Sequence, residues 1–468
     1  MGVVGGHAIV IGGSIGGLVA AQALAGRFDQ VTVLDRDVLP TGPEDRRGVP
    51  QSAHAHALLI RGRLALEELF PGLTDELVAG GAVPFDPGDD LLFYQMGALR
   101  VRFPSGKLGT SLTRAFLESS LRSRVWALPN VTVRDQVSVC GLTGVTGRVT
   151  GVELDDEGPL KADLVVDATG RSGSRTEPWL EKLGCPAPDT TTVKIDVGYT
   201  TRLLKRRPGD LPDGALLYLM SATPPHDKRA AAAFAVEGDR WVVTLGGWHR
   251  HHAPVDPAGF AAFADKLPFP YVADLVANAE PLDDLDARKF HYPMARRRYF
   301  EKLRRLPDGY VALGDAICSF NPLYGQGMTV ATLEAIELGH KLDRYGVASA
   351  RMAREFYRAA GKIIDTPWQM STGSDFCYPE TVGPRPAGTD MVNRYVRQVM
   401  LASHVSPKVH NVILDVQHLL APPSAIFRPV TLARTLRAAR RSPAYGQAAP
   451  LPGNAPAKPE GAPLDRTI

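Results

Sequence analysis

The chain has 468 residues, about three times the length of a typical domain, so we expect two or three domains. Its 44% hydrophobic and 22% charged residues are ordinary for a globular protein and exclude a chain that is disordered throughout. Lys and Arg number 53 and Asp and Glu number 50, a net charge of +3 that argues against nucleic acid or an anionic membrane as the main partner. The four cysteines form no Cys-x-x-Cys pair, so we expect no disulfide framework, no structural zinc and a cytoplasmic location.

The first 35 residues predict a β-α-β unit. Residues 7–11 and 30–35 are typical of buried strands, and residues 18–25 of a helix. Two strands joined by a helix in this way lie parallel in one sheet. Residues 162–167 and 309–314 predict further strands of the same sheet, and a second helix is predicted from residue 327 to about 342.

The turn between the first strand and the first helix has the spacing of a dinucleotide-binding loop. Gly12 permits a tight turn, Gly17 lets the helix pack closely on the strand, and the helix N-terminus offers N–H groups to a pyrophosphate. Asp35 would bind a ribose 2′-hydroxyl and disfavour a 2′-phosphate, so the nucleotide is FAD or NAD rather than NADP. Ser14 stands where the usual pattern has its middle glycine. The residues assigned to this site are Gly12, Gly13, Ser14, Gly17, Asp35 and Arg36.

A second glycine-bearing segment lies far downstream. Gly314-Asp315-Ala316 is followed by Pro322, Gly325, Gly327 and Met328, and then by the predicted helix. This order resembles the flavoprotein monooxygenases of the para-hydroxybenzoate hydroxylase superfamily. The resemblance implies that Asp315 binds the ribityl chain of FAD and that Pro322 lies beside the isoalloxazine. It also implies that residues 325–328 present backbone N–H groups to the N1–C2=O edge of the flavin.

The same resemblance assigns two arginines to FAD binding and indicates which branch of the superfamily the chain is most similar to. Arg46 matches an arginine near the pyrophosphate, and Arg114 an arginine on a helix along the cofactor. Residues 46–59 resemble bacterial natural-product epoxidases, among them the polyether-antibiotic polyene epoxidases. Thr169, in Asp-Ala-Thr-Gly, replaces the Asp of many hydroxylases and leaves direct reduction by NADPH open. A Trp-x-Trp-x-Ile-Pro motif is absent, which argues against halogenation.

The implied function is a flavin-dependent monooxygenase that epoxidises or hydroxylates a hydrophobic polyketide or terpenoid through a C4a-hydroperoxyflavin. NADPH or NADH is the expected electron donor, O2 the oxidant, and a separate flavin reductase or a carrier protein a further partner. Because the flavin carries the chemistry, we predict no catalytic side chain. Two alternatives stay open: a [4+2] polyketide cyclase that uses FAD without net redox, and a flavin-dependent isoprenoid reductase.

Residues 185–290 predict an antiparallel sheet above the flavin, with strand-like runs at 193–201, 215–222, 231–236 and 240–247. Its apolar side chains are the expected substrate contacts. These candidates are Tyr218, Met220, Phe234 and Trp248, together with Tyr324 of the second glycine segment. His54 and His56, and the histidines at 249–252, lack a ligand partner at suitable spacing, so we predict no metal.

The fold class that follows is α/β: a doubly wound, Rossmann-type FAD-binding domain with an inserted antiparallel substrate domain and C-terminal helices. The expected boundaries are 1–184 for the first part of the FAD domain, with an excursion into the substrate domain near 80–110, and 185–295 for the substrate domain. Residues 296–345 return to the FAD domain, 346–440 are helical, and 441–468 are expected to be disordered. A basic amphipathic helix from Leu432 to Arg441 could touch a carrier protein, whereas membrane association is not expected.

Overall fold

The computed structural model describes residues 2–171, 176–282, 287–347 and 349–446. In chain order its strands are β1 (Gly5–Ile11), β2 (Phe28–Leu34), β3 (Val83–Phe85), β4 (Leu91–Gln95), β5 (Ala98–Leu99), β6 (Gly109–Ser111), β7 (Val131–Arg134), β8 (Val139–Val145), β9 (Arg148–Leu154), β10 (Gly158–Lys161), β11 (Leu164–Asp167), β12 (Thr190–Lys205), β13 (Leu217–Met220), β14 (Arg229–Val236), β15 (Arg240–Gly247), β16 (Arg288–Arg298), β17 (Tyr310–Ala312) and β18 (Cys318–Ser319). Its helices are α1 (Ile15–Ala25), α2 (Ile60–Leu69), α3 (Leu73–Ala79), α4 (Arg114–Trp126), α5 (Thr176–Lys182), α6 (Pro257–Asp265), α7 (Tyr271–Asn278), α8 (Gly327–Tyr345), α9 (Ala350–Asp375), α10 (Thr389–Ala402), α11 (Pro407–Gln417) and α12 (Pro429–Ala439).

A five-stranded parallel sheet organises the nucleotide-type half of the chain. Its order is β17-β11-β1-β2-β7, and every neighbouring pair is parallel. The inner strands are apolar along most of their length because a parallel sheet is covered on both faces; residues 8–11 and 164–167 are all buried. The predicted β-α-β unit is confirmed. The carboxyl ends of β1, β2, β11 and β17 meet at one edge, where ligands bind in sheets of this kind.

An eight-stranded sheet forms the second layer, in the order β18-β16-β12-β15-β14-β13-β4-β5. Its neighbours are antiparallel except β13 and β4, which run parallel. The β14–β15 hairpin turns through residues 237–239, since Val236 pairs with Arg240, and Gly238 and Asp239 in this turn have φ angles of 72° and 50°. The predicted α/β class with a large antiparallel sheet is confirmed. The domain boundaries stay a prediction.

The two faces of this sheet have different neighbours. One face packs under α6 and α7, where Tyr218, Phe260 and Val272 share a buried cluster. The opposite face holds Phe234 and Val242 against Ala55 and Ala57 of the loop before α2. A side chain of the sheet therefore reaches this loop only from the second face, because side chains alternate along a strand.

The C-terminal region is helical, as expected from sequence. Helix α9 packs on α8, and α10, α11 and α12 enclose a small core of their own. Ser442 and Ala444, beyond α12, are buried, whereas residues 447–468 of the predicted disordered tail lie outside the described residues. All four cysteines are free thiols. Among the helices that the structure describes, none has both the length and the apolar character to cross a membrane.

Candidate functional site

The glycine turn between β1 and α1 is packed so tightly that two of its positions exclude any side chain. Gly12 has a φ of 105°, and a Cβ there would lie 2.6 Å from the carbonyl oxygen of Ala168. A Cβ on Gly17 would lie 1.7 Å from the carbonyl oxygen of Gly12. Only glycine satisfies both positions, so the turn brings the start of α1 directly onto the end of β1.

The N-terminus of α1 is not capped by a side chain. Ser14 occupies the N-cap position, but its hydroxyl donates to Glu118 Oε2 at 2.8 Å and accepts from Arg114 at 2.9 Å. The first turn of α1 carries no acidic residue. Its free N–H groups and the partial positive charge of the helix end therefore suit an anion such as a pyrophosphate.

Glu118 of α4 is the centre of a buried charge cluster beside this helix end. Its carboxylate lies 3.0 Å from Arg46, 3.2 Å from Arg122 and 3.7 Å from Arg114. Burial by itself raises the pKa of Glu118, but Arg114 and Arg46 outweigh it and hold the pKa below its usual range. Burial lowers the pKa of Arg114. We did not predict Glu118 from sequence, although it follows Arg114 by one helical turn, which is a readable signal.

Asp35 lies on the other side of the glycine turn between β1 and α1. It accepts hydrogen bonds from the backbone N–H groups of Gly13 and Asp37, at 2.7 and 2.9 Å. Arg46 lies 3.2 Å from the same carboxylate and 3.0 Å from Asp37. A ribose hydroxyl at Asp35 would therefore share the carboxylate with Arg46. Arg36, the next residue, is exposed and makes no hydrogen bond within the described residues.

Asp315 lies in the second glycine segment, just past β17. Burial raises the pKa of its carboxyl, opposed by the charges of Arg171, Arg114 and Arg296. No hydrogen bond from the described part of the chain reaches this carboxylate, so its oxygens are available to a ligand. A Cβ on Gly327, the first residue of α8, would lie 3.6 Å from Asp315 Oδ1. Arg114 donates to the hydroxyl of Ser14, in the first segment, at 2.9 Å, and its charge interacts with that of Asp315, in the second segment. The two segments predicted to share one ligand therefore meet around Arg114.

The turn from Asn321 to Gly325 leads into α8 and contacts the loop before α2. Asn321 is fully buried and its side chain accepts from the N–H of Leu323 at 3.1 Å. Gly325 has a φ of 65°, and a Cβ there would lie 3.0 Å from the Cβ of Ala57. Pro322 begins the short turn, and Met328 follows the first residue of α8.

Two histidines in the loop before α2 are neutral. Burial lowers the pKa of His54 to about 4 and that of His56 to about 3. His54 Nδ1 lies 2.7 Å from the hydroxyl of Thr201, and His56 Nδ1 lies 2.8 Å from the carbonyl oxygen of His54. Both rings therefore serve as uncharged hydrogen-bonding groups at neutral pH.

The five predicted substrate contacts do not gather at one place. Trp248 and Tyr324 both donate to one carboxylate, Asp375, at 2.9 and 3.3 Å. Phe234 lies on the face of the sheet that meets Ala57. Tyr218 and Met220 lie on the opposite face, in the cluster under α6 and α7.

Asp375 ends helix α9 and was not singled out from sequence. It is fully buried, and burial raises its pKa to about 7, partly offset by hydrogen bonds from Trp248, Asn321 and Tyr324. No sequence motif surrounds it, and only the tertiary fold brings its partners together.

One group of side chains away from the glycine segments has the composition of a metal site. Single ligand atoms of Asp196, His252 and His291 lie within 4.8 Å of one another. His291 Nε2 is 2.7 Å from Asp196 Oδ1, His252 Nε2 is 3.0 Å from the Asp196 carbonyl oxygen, and Arg250 pairs with Asp196 at 3.1 Å. Each of these atoms thus has a protein partner, and the absence of a metal stays a prediction.

No family model matches the chain. Protein Rv3254 of Mycobacterium tuberculosis is 36% identical over 415 residues, which cover 82% of this chain and 84% of that protein. Zeaxanthin epoxidase of Oryza sativa is 27% identical over 167 residues, which cover 35% of this chain and 24% of that protein.

Three solved structures are similar in three dimensions. A flavoprotein/dehydrogenase from Cytophaga hutchinsonii has a TM-score of 0.63 at 15% identity, over 94% of this chain and 98% of that one. The flavin-dependent brominase Bmp2 has a TM-score of 0.59 at 12% identity, over 94% and 99%. The oxygenase of 2-methyl-3-hydroxypyridine-5-carboxylic acid has a TM-score of 0.58 at 18% identity, over 79% and 90%. At these identities the likeness establishes a shared fold.

Proposed function

The chain belongs to the family of the Mycobacterium tuberculosis protein Rv3254, and we propose that it is an FAD-dependent monooxygenase. The observation that carries the proposal is the meeting of the two glycine-bearing segments. The uncapped start of α1 and the free carboxylate of Asp315 lie at the carboxyl ends of parallel strands, and Arg114 interacts with groups of both segments. The fold shared with an oxygenase and a flavin-dependent brominase supports this reading.

The residues present fit FAD along its length. The N–H groups at the start of α1 would hold the pyrophosphate, with Arg46 and Arg114 as its cationic neighbours. Arg46 Nη2 and Arg114 Nε are buried with no partner within the described residues, which fits a charged ligand beside them. Asp315 would hold the ribityl hydroxyls, and the turn before α8 would border the isoalloxazine. FAD supplies, when bound, the passage of electrons from a nicotinamide to O2.

The chain itself would orient the substrate and exclude water. The start of α8 carries a partial positive charge that stabilises negative charge nearby by about 0.3–1 kcal/mol. His54 and His56 are uncharged at neutral pH, so they add no competing cation. In keeping with the sequence-based prediction, the proposed reaction assigns no nucleophile to a side chain.

We propose a hydrophobic natural product, a polyketide or terpenoid, as the substrate, and epoxidation or hydroxylation as the reaction. Support comes from the apolar side chains where the antiparallel sheet meets the loop before α2: Leu217, Phe234 and Val242 form a buried cluster there, against which Ala55 and Ala57 pack. We also propose that the chain is related to the polyether-type polyene epoxidases, which its sequence resembles. The partial match to zeaxanthin epoxidase is consistent with it.

The electron donor is proposed to be NADPH or NADH, acting directly or through a separate flavin reductase. Asp167 belongs to the altered Asp-Ala-Thr-Gly segment, and both of its carboxylate oxygens already accept hydrogen bonds within the protein. The hydroxyl of Thr169 donates to Oδ1 at 2.6 Å, and the hydroxyl of Tyr310 donates to Oδ2 at 2.9 Å. This carboxylate is therefore poorly placed to contact a nicotinamide, which favours the route through a partner reductase.

A carrier protein is the proposed source of the substrate, and the cytoplasm the proposed location. The exposed side of α12 combines Leu432 and Leu436 with Arg434, Arg437 and Arg440. No acidic residue occurs from residue 416 to 446, so this surface suits an acidic protein partner. The four free thiols fit a reducing compartment.

The test uses the purified protein with its flavin, NADPH or NADH, and linear polyenes such as geranylgeraniol as probes. The proposal predicts oxygen uptake that depends on the polyene and a product that gains one oxygen atom. A product formed without oxygen while the flavin stays oxidised would favour the redox-neutral cyclase. Anaerobic saturation of the polyene, with matching oxidation of reduced flavin, would favour the isoprenoid reductase.

A further inference from the structure

Three separate parts of the chain converge on one buried carboxylate, in a group we call the Asp375 cluster: Trp248, Asn321, Tyr324 and Asp375. Asp375 Oδ1 accepts from Trp248 Nε1 at 2.9 Å, from Asn321 Nδ2 at 2.9 Å and from the hydroxyl of Tyr324 at 3.3 Å. Trp248 follows β15, Asn321 and Tyr324 belong to the turn before α8, and Asp375 is the last residue of α9. A single oxygen thus ties the antiparallel sheet and a C-terminal helix to this turn.

The other oxygen of the same carboxyl is unused. Asp375 is fully buried, and Oδ2 has no hydrogen-bond partner within the described residues. A buried, unpartnered polar atom is costly, so its retention beside a cofactor-facing turn points to a role beyond packing. The titratable groups around it are Tyr324, Cys377, Tyr378 and, across Thr381, His249. Burial lowers the pKa of His249 and so disfavours its charged form.

The surroundings hold the cluster in one arrangement. The ring of Trp248 stacks on Tyr378 with 5.6 Å between centroids. Thr381 Oγ1 donates to the Asp375 carbonyl oxygen at 2.6 Å. The end of α9 is therefore held by its backbone as well as by its side chain.

We propose that Asp375 is a positioning residue, which locks the turn from Asn321 to Gly325 against the Trp248 end of the sheet and thereby holds Tyr324 beside the bound flavin. The part of this inference that rests on the proposed function is the presence of the bound flavin. The link between Asp375 and Trp248 is a property of the chain alone. Because three donors favour the charged form and burial favours the neutral form, the carboxyl gains or loses its proton near pH 7.

The first experiment uses the chain without flavin and follows tryptophan fluorescence from about pH 5 to about pH 9. Ionisation of Asp375 changes the charge at the indole N–H of Trp248, so the wild type is expected to show a step near pH 7. Asp375→Asn and Trp248→Phe are both expected to remove it. Glu355→Gln is the control, since it removes a carboxylate from the same helix, where Glu355 pairs with the nearby Arg358. A wild type without a step, or a step that survives in Asp375→Asn, overturns the proposal.

The second experiment uses the flavin-loaded protein and separates positioning from folding. Asp375→Asn keeps an acceptor for the three donors and is expected to keep both the unfolding midpoint at pH 6 and the visible spectrum of the flavin. Asp375→Leu removes every acceptor and is expected to shift that spectrum and to weaken FAD binding at least tenfold. Tyr324→Phe should shift the spectrum as Asp375→Leu does, and the double variant should shift it no further, because Asp375 acts through Tyr324.

The outcomes distinguish this inference from the proposed function. A wild type that binds no FAD but shows the fluorescence step contradicts the proposed function and leaves the Asp375 lock supported. Spectra of Asp375→Leu and Glu355→Gln that both match the wild type overturn the positioning role, even if the protein oxygenates its substrate.

Discussion

Replacing Gly17 by alanine should be far more damaging than the same change one residue earlier. A Cβ at position 17 would lie 1.7 Å from the Gly12 carbonyl oxygen, whereas a Cβ at position 16 would lie 3.7 Å from the nearest atom, Leu313 Cδ2. Alanine gains about 1 kcal/mol over glycine inside a helix, and that gain applies equally to both variants, because both glycines lie in α1. Gly17→Ala must push α1 off β1, and such overpacking costs about 1–3 kcal/mol.

The difference in unfolding free energy between the two variants is therefore expected to be about 1–3 kcal/mol. Urea unfolding of both variants without flavin measures it, and equilibrium dialysis with FAD measures the effect on binding. Gly17→Ala should also lose affinity for FAD, because the N–H groups of the first turn move with the helix. Equal urea midpoints and equal FAD retention for the two variants would refute the packing argument.

Three further predictions concern buried carboxylates. Glu118→Gln leaves Arg114 and Arg122 without a carboxylate partner among the described residues, and breaking a buried ion pair costs about 3–5 kcal/mol. The fall in the urea midpoint should be smaller when FAD is added, since a pyrophosphate would replace the missing negative charge. Burial raises the pKa of Glu334 from 4.5 to about 8, so the folded protein binds the carboxyl proton more tightly than the unfolded chain does. The free energy of unfolding therefore falls as the pH rises from 4.5 to about 8, by at most about 1.4 kcal/mol per pH unit. Glu334→Gln should lose stability less over the same range in paired urea titrations, and a parallel fall in both proteins would contradict this. Asp315→Asn should release FAD more readily than the wild type in dialysis, while the free energy of unfolding without flavin stays within about 1 kcal/mol of the wild type, since no hydrogen bond from the described residues reaches that carboxylate.

The first glycine segment could be predicted because its signals are local. The apolar run of β1, the positions of Gly12 and Gly17, and Asp35 at the end of β2 all lie within 35 residues of the start. The physical requirements for these glycines are fulfilled in the structure by contacts with immediate neighbours in the fold. Local pattern and tertiary packing agree here, which is why the sequence alone suffices.

Strand β16 shows where local patterns fail. Its residues include five arginines and lysines, which suggest an exposed segment, yet Arg297 and Arg298 are buried. Arg297 pairs with Asp365 and Glu301, and Arg298 with Glu177. Except for Glu301, these partners are distant in sequence. The long-range ion pairs that allow these arginines to be buried in the strand therefore cannot be recognised from the sequence alone.

Helices α6 and α7 were also missed, although α6 has a readable start. Asp256 caps it by accepting from the N–H of Gly259 at 2.7 Å, and Pro257 occupies the first turn. The surrounding strand-like runs led us to expect only sheet in this region. Asp375, by contrast, has no local signal: its three donors lie 51 to 127 residues away.

The central claim is that two remote glycine-bearing segments hold one FAD, and its most direct test is the amount of FAD bound per chain. The protein is dialysed, unfolded to release its ligand, and the flavin in the supernatant is quantified, for the wild type and for Asp35→Ala and Asp315→Ala. We predict a yellow wild type with one FAD per chain and clear losses in both variants. A colourless chain that takes up no flavin from excess FAD, or full occupancy in both variants, would contradict the claim.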